Sequence, residues 1–74
     1  MPHVNIKHFP ASLREEQQAE LVAALTAVVR SAFGCDERVI SIALESVDED
    51  TWNERVYVPE IVGRKELLIK TPNY

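Results

Sequence analysis

Residues 12–34 read SLREEQQAELVAALTAVVRSAFG, and this segment has the apolar spacing of an amphipathic helix. Ser12 and Glu15 form a capping-box pattern at its start, and Gly34 supplies a left-handed stop at its end. The sequence therefore predicts a helix over residues 13–33. Apolar residues that recur at helical spacing form its apolar face: Leu21, Leu25, Val28, Val29 and Ala32.

Short β-type segments stand on both sides of this helix. Residues 2–9 (PHVNIKHF) alternate, so that Pro2, Val4, Ile6 and His8 share one face, and Pro10 ends the run. Residues 39–44 (VISIAL) form a second β-rich run. A strand, a long crossover helix and a second strand predict a parallel βαβ unit.

The segment after the second strand has weaker signals. Thr51 and Glu54 repeat the capping-box pattern and predict a short helix, which Pro59 interrupts. Because proline is tolerated in the first turn of a helix, Pro59 also predicts a second helix over residues 59–69. The fold predicted for the single domain, residues 1–74, is an α/β fold: a βαβ subunit with short C-terminal helices.

A chain of 74 residues has little material for a core of its own. Such a chain buries only about 60% of its unfolded surface, and small domains usually add disulfides, a metal or oligomerisation. A single cysteine, Cys35, excludes an internal disulfide, and His3 and His8 without a cysteine cluster argue against structural zinc. One face of a two-stranded sheet also lacks a partner. The sequence therefore predicts an oligomer.

The charge balance narrows the classes of partner. The formal net charge is −4, from 8 Lys+Arg and 12 Asp+Glu, so the basic footprint that nucleic-acid binding needs is missing. No apolar run approaches the roughly 20 residues of a membrane span, and the first residues lack a signal-peptide pattern. We expect a cytoplasmic protein with neither nucleic acid nor membrane as partner.

Pro2 is the candidate catalytic residue of the chain. Methionine aminopeptidase removes Met1 when a small residue such as proline follows, which leaves a secondary amine at the start of the chain. An α-amino group has a pKa of about 7.7–8.0, and an apolar pocket lowers that pKa because it disfavours the charged form. A neutral amine suits the removal of a proton α to a carbonyl. Met-Pro starts are common by chance, but Pro2 directly begins a predicted strand, which would fix the amine at the sheet edge.

The pattern extends over essentially the whole chain. It includes MPHVNIK at 1–7, EQQ at 16–18, VISIAL at 39–44, Trp52 and the closing IKTPNY at 69–74. Together these segments resemble the tautomerase superfamily (MIF-like fold), specifically its small 4-oxalocrotonate tautomerase-like subunits. The Pro-His start, the Phe-Pro after the first strand and the Ile-Lys-x-Pro-x-Tyr end are most similar to a dimeric bacterial branch. The resemblance thus implies a homodimer rather than a hexamer.

The resemblance also implies an activity. It implies a keto–enol tautomerase without cofactor or metal, in which the N-terminal proline, Pro2 here, acts as general base and acid. The family's aromatic pocket residue falls on Trp52. A role of Trp52 in the core or in a subunit contact is an equal alternative, because a buried tryptophan is energetically large in either place.

The substrate class follows from where the chain departs from the family. Hexameric members specific for dicarboxylates use two arginines, whose positions fall near Leu13 and on Ser41 in this chain. Loss of that bidentate clamp predicts a 2-oxo monoacid with an aromatic or apolar tail, such as a phenylpyruvate-like enol. The candidates for the cation that meets the substrate carboxylate are Arg14, Arg38 and Lys7, although exposed surface charge is the commoner role for such residues.

Other interpretations stay open at this point. The same amine could serve a hydratase, dehalogenase or decarboxylase, or the chain could be a non-enzymatic oligomeric interaction module with an incidental Met-Pro start. His8 lies about 20 Å along the strand from Pro2, which argues against a catalytic pair within one chain. Cys35 has no predicted base beside it and is interpreted as an unreactive loop thiol.

Overall fold

The computed structural model describes all 74 residues. Strand β1 spans His3–His8, helix α1 spans Glu15–Phe33 and strand β2 spans Ser41–Ser46. A π-helix follows at Asn53–Val62, and single 3₁₀ turns lie at Glu37–Val39, Glu49–Thr51 and Lys65–Leu67. None of the helices combines the length and the apolar character needed to cross a membrane.

The two strands form a parallel ladder, which confirms the predicted βαβ unit. The register runs from His3 opposite Ser41 to His8 opposite Ser46. One further bond extends the ladder at each end: the Ser41 N–H donates to the carbonyl of Pro2 at 3.2 Å, and the Val47 N–H donates to the carbonyl of His8 at 2.8 Å. The first bond holds Pro2 just before β1, and the second holds Val47 just after β2.

Helix α1 is confirmed, but its first turn differs from the prediction. The helix begins at Glu15 with Arg14 as the N-cap residue, so the predicted Ser12–Glu15 capping box is wrong. Instead the Gln17 Oε1 atom accepts a hydrogen bond from the Arg14 N–H at 2.9 Å. A glutamine three residues after the N-cap satisfies a backbone donor as glutamate does. The helix therefore starts two residues later than predicted.

The end of α1 is as predicted. Gly34 has φ 62° and ψ 40°, in the left-handed region that glycine adopts without a Cβ penalty. Its N–H donates to the carbonyl of Arg30 at 2.9 Å. The apolar face is narrower than predicted, because Val28 is 60% exposed, whereas Leu21, Leu25 and Val29 are half-buried.

Strand β2 begins at Ser41, two residues after the predicted start at Val39. Residues Glu37–Val39 form a 3₁₀ turn instead. Asp36 caps this turn, since its Oδ1 atom accepts a hydrogen bond from the Arg38 N–H at 3.0 Å. An aspartate that satisfies a local backbone donor favours a turn over an extended ladder, and this offsets the β propensity of Val39.

The C-terminal helices differ most from the sequence prediction. One π-helix runs through Pro59, so neither the break at Pro59 nor the second helix over residues 59–69 is present. In an α-helix a proline ring clashes with the carbonyl four residues earlier, whereas the five-residue hydrogen-bond step of a π-helix moves that carbonyl aside. Thr51 does not open the helix; its hydroxyl donates to the carbonyl of Asp48 at 3.2 Å.

The fold leaves most apolar side chains partly in solvent. Only Val47, at 1% exposure, and Val56, at 6%, are buried. Large apolar side chains on both helices and in the closing segment are exposed, among them Val22, Phe33, Val58, Leu67 and Ile69. Such a surface is typical of a subunit whose core is completed by another chain.

Gly63 provides a test of the π-helix. A Cβ atom at this position would lie 2.8 Å from the Pro59 carbonyl oxygen and 3.1 Å from that of Val58. We expect Gly63→Ala to lower the free energy of unfolding by about 1–3 kcal/mol, because the backbone must shift. Denaturant unfolding at fixed protein concentration measures the loss.

Gly34→Asn is the matched control. Nothing lies within 4 Å of a Cβ at Gly34, but its φ of 62° strains any residue that has a Cβ, asparagine less than most. Its unfolding midpoint should fall less than that of Gly63→Ala. A Gly63→Ala chain as stable as the wild type would contradict the tight π-helical path.

Candidate active site

Pro2 lies at the entrance of strand β1 and is half-buried. Its carbonyl accepts the Ser41 N–H, so the backbone at this residue is held by the sheet rather than left as a loose end. Pro2 lines an open recess of about 370 Å³ together with Met1, His3, Val4, Val29, Phe33 and Cys35, most of which are apolar. Met1 is fully exposed. Removal of Met1 would therefore free a secondary amine inside an apolar recess.

Cys35 lies beside Pro2 in this recess. The thiol is half-buried and follows the left-handed Gly34 that ends α1. No local sequence pattern indicates that Cys35 lies at the same recess as Pro2. Both residues line the recess because the segment that leads into β2 returns the chain to the start of β1.

Trp52 belongs to a separate aromatic cluster. The ring of Phe9 meets the indole edge-on, with centroids 5.0 Å apart and an interplanar angle of 89°. The indole Nε1–H donates to the Tyr74 hydroxyl at 3.2 Å. Phe9, Trp52 and Tyr74 line an open pocket of about 470 Å³. We call these three residues the aromatic pocket.

The aromatic pocket and the Pro2 recess lie at opposite ends of β1. Phe9 follows the last residue of the strand, and Pro2 precedes the first. At about 3.3 Å per residue, Pro2 and Phe9 are about 23 Å apart. One chain therefore does not bring Trp52 to Pro2.

The three candidate cations lie outside the Pro2 recess, and each has a carboxylate partner. Lys7 forms an ion pair with Glu60 of the π-helix. Arg14 is 2.7 Å from Glu16, and Arg38 is 3.9 Å from Asp36. None of them is among the residues that line the Pro2 recess, so their contact with a substrate carboxylate stays a prediction.

The histidines make local contacts. His3 Nδ1 lies 2.6 Å from the Ser41 hydroxyl across the strand pair. His8 Nδ1 lies 2.6 Å from the carbonyl oxygen of Phe9, which accepts a hydrogen bond from it. The two rings thus help to hold the two ends of β1. No cluster of three or more potential metal ligands is assembled in the chain.

Sequence comparison gives this geometry a context. A family model described as "Tautomerase enzyme" matches residues 2–56, which begin at Pro2 and span β1, α1, β2 and Trp52. The chain belongs to the tautomerase family. This tautomerase is therefore an isomerase that acts on a small molecule, and the interpretation as a non-enzymatic module is set aside.

Similar proteins cover the tautomerase from end to end. Tautomerase PptA of Pectobacterium carotovorum subsp. carotovorum (strain PC1) is 36% identical over 74 residues, which is 100% of this chain and 97% of the relative. Tautomerase PptA of Enterobacter sp. (strain 638) is 38% identical, and that of Escherichia coli O139:H28 (strain E24377A / ETEC) is 39% identical, with the same coverage. The predicted family and its bacterial branch are thereby confirmed, and the similarity includes residues 57–74, beyond the family model.

The Lys7–Glu60 pair offers a test of how the tautomerase holds its π-helix against β1. Both side chains are mostly shielded, at 26% and 33% exposure. We expect Glu60→Gln to lower the free energy of unfolding by about 1–2 kcal/mol, because it leaves the Lys7 charge partly buried without its counter-charge. Denaturant unfolding at fixed protein concentration reports the loss.

Glu16→Gln serves as the control for this measurement. It removes the carboxylate of the Arg14–Glu16 pair, whose side chains are 69% and 65% exposed, and exposed pairs contribute about 0–1 kcal/mol. Equal losses for the two variants would show that the Lys7–Glu60 pair is no more important than surface charge.

Proposed function

We propose that this tautomerase is a cofactor-independent keto–enol tautomerase of 2-oxo acid enols, with phenylpyruvate-like monoacids as substrates. The N-terminal proline left after Met1 removal is its general base and acid. The neutral Pro2 nitrogen takes the proton of the enol hydroxyl, and the resulting ammonium delivers a proton to the adjacent carbon as the carbonyl forms. One O–H bond breaks and one C–H bond forms, so the reaction is an isomerisation.

The placement of Pro2 is the observation that carries this proposal. The residue is fixed by the Ser41 N–H and faces a recess whose walls include Val4, Val29 and Phe33. Apolar walls disfavour an ammonium ion and so favour the neutral amine that a general base requires. The family model also begins at this residue.

The surroundings support a monoacid as substrate. Two arginines bind the substrate in the dicarboxylate-specific members of the family that this chain resembles, and their positions fall near Leu13 and on Ser41 here. The Ser41 hydroxyl is engaged with His3. The aromatic pocket offers three rings to an apolar substrate tail. Arg14, Arg38 and Lys7 stay the candidates for the carboxylate partner.

We further propose that the working site is formed by two copies of the chain. Pro2 and the aromatic pocket lie about 23 Å apart in one copy, so Trp52 would meet a substrate at Pro2 only from a second copy. An antiparallel two-fold arrangement brings the start of β1 in one subunit to its end in the other. The homodimer is favoured over a hexamer by the resemblance, and the exposed apolar surface supports an oligomer. A cytoplasmic location belongs to the same proposal.

The same amine would also serve hydration, dehalogenation or decarboxylation on this scaffold. These reactions have distinct products. Product analysis by nuclear magnetic resonance separates them from ketonisation, because only ketonisation leaves the composition of the substrate unchanged.

Substitution of Pro2 tests the proposal directly. We expect Pro2→Ala to slow the ketonisation of phenylenolpyruvate, because removal of Met1 then leaves a primary α-amine on a flexible alanine in place of the ring-held secondary amine. Ultraviolet absorbance follows the loss of the enol, and intact-mass analysis of the wild type should show that Met1 has been removed.

A second variant separates the amine from the proline ring. A lysine inserted between Met1 and Pro2 prevents removal of Met1, so that the Pro2 nitrogen stays within a peptide bond although the ring is present. This chain should be slower than Pro2→Ala, about a hundredfold or more below the wild type, because no free amine is left at this position. Wild-type rates in either variant, or retention of Met1 in an active wild type, would refute Pro2 as the base.

A further inference from the structure

A substrate carboxylate in the Pro2 recess needs a hydrogen-bond donor. Under the proposed function the Pro2 nitrogen is neutral before it takes the enol proton, so it offers no charge to an acid group. The residues that line the recess are mostly apolar, and a carboxylate held against apolar walls without a hydrogen bond is unfavourable. Another side chain close to Pro2 must therefore supply the donor.

The size of the substrate limits how far away that donor can lie. In a 2-oxo acid the carboxylate is attached to the carbonyl carbon, next to the carbon that receives the proton. With reacting atoms about 3–3.5 Å apart and covalent bonds of about 1.5 Å, the carboxylate lies less than about 8 Å from the Pro2 nitrogen. Lys7 is about 17 Å further along β1 at about 3.3 Å per residue, and Glu60 holds its side chain.

His3 satisfies this limit. It follows Pro2 directly in the chain, so the two Cα atoms are about 3.8 Å apart. It also carries the only basic side chain among the residues that line the recess. The sheet fixes its position relative to Pro2, because Ser41 lies opposite His3 in the ladder and its N–H donates to the Pro2 carbonyl at 3.2 Å.

The Ser41 hydroxyl orients the imidazole of His3. It lies 2.6 Å from Nδ1, and a hydroxyl either donates to that nitrogen or accepts from it. When the hydroxyl donates, the neutral ring carries its proton on Nε2; when the ring is charged, both nitrogens carry protons. An incoming carboxylate selects these two forms, because it only accepts hydrogen bonds. Ser41 thus engages Nδ1 and leaves Nε2 available as a donor.

We propose that His3 binds the substrate carboxylate through Nε2 and that Ser41 is a positioning residue for His3. This role rests on the proposed function at Pro2. It assigns the carboxylate contact to His3 rather than to the three candidate cations, which are not among the recess residues and are paired with carboxylates. The site should therefore bind an acid more tightly than its neutral amide.

The binding test compares 3-phenylpropionate with 3-phenylpropanamide, two unreactive ligands of the same carbon skeleton. Calorimetry measures both Kd values for the protein without Met1. His3→Leu removes the donor and should raise the Kd of the acid about two- to tenfold, the range for one hydrogen bond. The Kd of the amide should rise less, because hydrogen bonds to a charged acceptor are the stronger ones. His3→Gln has a similar size, keeps an N–H donor and should restore part of the preference for the acid.

Two further variants separate orientation from general effects on the sheet. Ser41→Ala keeps the backbone N–H that binds Pro2 and removes only the hydroxyl, so it should weaken binding of the acid less than His3→Leu does. Asn5→Ala is the matched control. It removes the neighbouring cross-strand hydrogen bond, from Asn5 to Glu45 at 3.2 Å, and should leave both Kd values unchanged.

A kinetic measurement separates this proposal from the one on Pro2. Proton exchange at the carbon next to the carbonyl of phenylpyruvate is followed in D₂O by nuclear magnetic resonance. His3→Leu should raise KM by the same factor as the Kd of the acid, with kcat within about twofold of the wild type, because substrate and transition state both keep the carboxylate. Wild-type protein without exchange would refute the proposed function, whereas calorimetry still decides the role of His3.

Three results would overturn the assignment of the carboxylate to His3. The first is an equal Kd of the acid for His3→Leu and the wild type. The second is an equal loss of affinity for the acid and the amide, which is the signature of a merely structural effect. The third is loss of the preference for the acid in Arg14→Gln but not in His3→Leu.

Discussion

The parallel hydrogen-bonded ladder between β1 and β2 determines where every functional group of this chain lies. Helix α1 is long enough to carry the chain back across the sheet, so that β2 runs in the direction of β1. The ladder is prolonged onto Pro2 at one end and onto Val47, the most buried residue, at the other. An apolar recess thus forms at the start of β1 and an aromatic pocket at its end.

This separation has a consequence for assembly. A small substrate cannot contact both Pro2 and Trp52 of the same chain, because they lie at places about 23 Å apart. The chain also buries only two residues, so its apolar surface is unfinished. Under the proposed function, one dimer contact completes the core and the active site together. Stability and activity then depend on the same association.

Local signals in the sequence predicted the elements better than their boundaries. Gly34 adopts the left-handed conformation that is typical of a helix C-cap, and α1 ends where the sequence predicts. The start of α1 differs from the prediction because the Gln17 side chain accepts the Arg14 N–H, and arginine at the N-cap position is not a recognised capping signal. Pro59 was interpreted as a helix break because propensity rules describe α-helices, and the wider π-helix escapes them.

The candidate site was predictable in part. Pro2 is identified by its position next to Met1 and at the start of a strand, both of which are visible in the sequence. The contacts of Trp52 with Phe9 and Tyr74 join positions separated by dozens of residues, and no local pattern encodes them. The closing Tyr was noted as part of a motif, but its hydrogen bond to the indole required the folded chain.

Complementation between two impaired variants tests the central claim, that each active site takes Pro2 from one subunit and Trp52 from the other. Pro2→Ala and Trp52→Ala chains are mixed, unfolded and refolded together, and light scattering verifies that dimers form. We predict recovery of activity with about a quarter of the wild-type sites, because about half of the dimers are mixed and each has one intact site. If Pro2 and Trp52 acted within the same chain, the mixture would have no more activity than the average of the two variants alone, and that result would contradict the account.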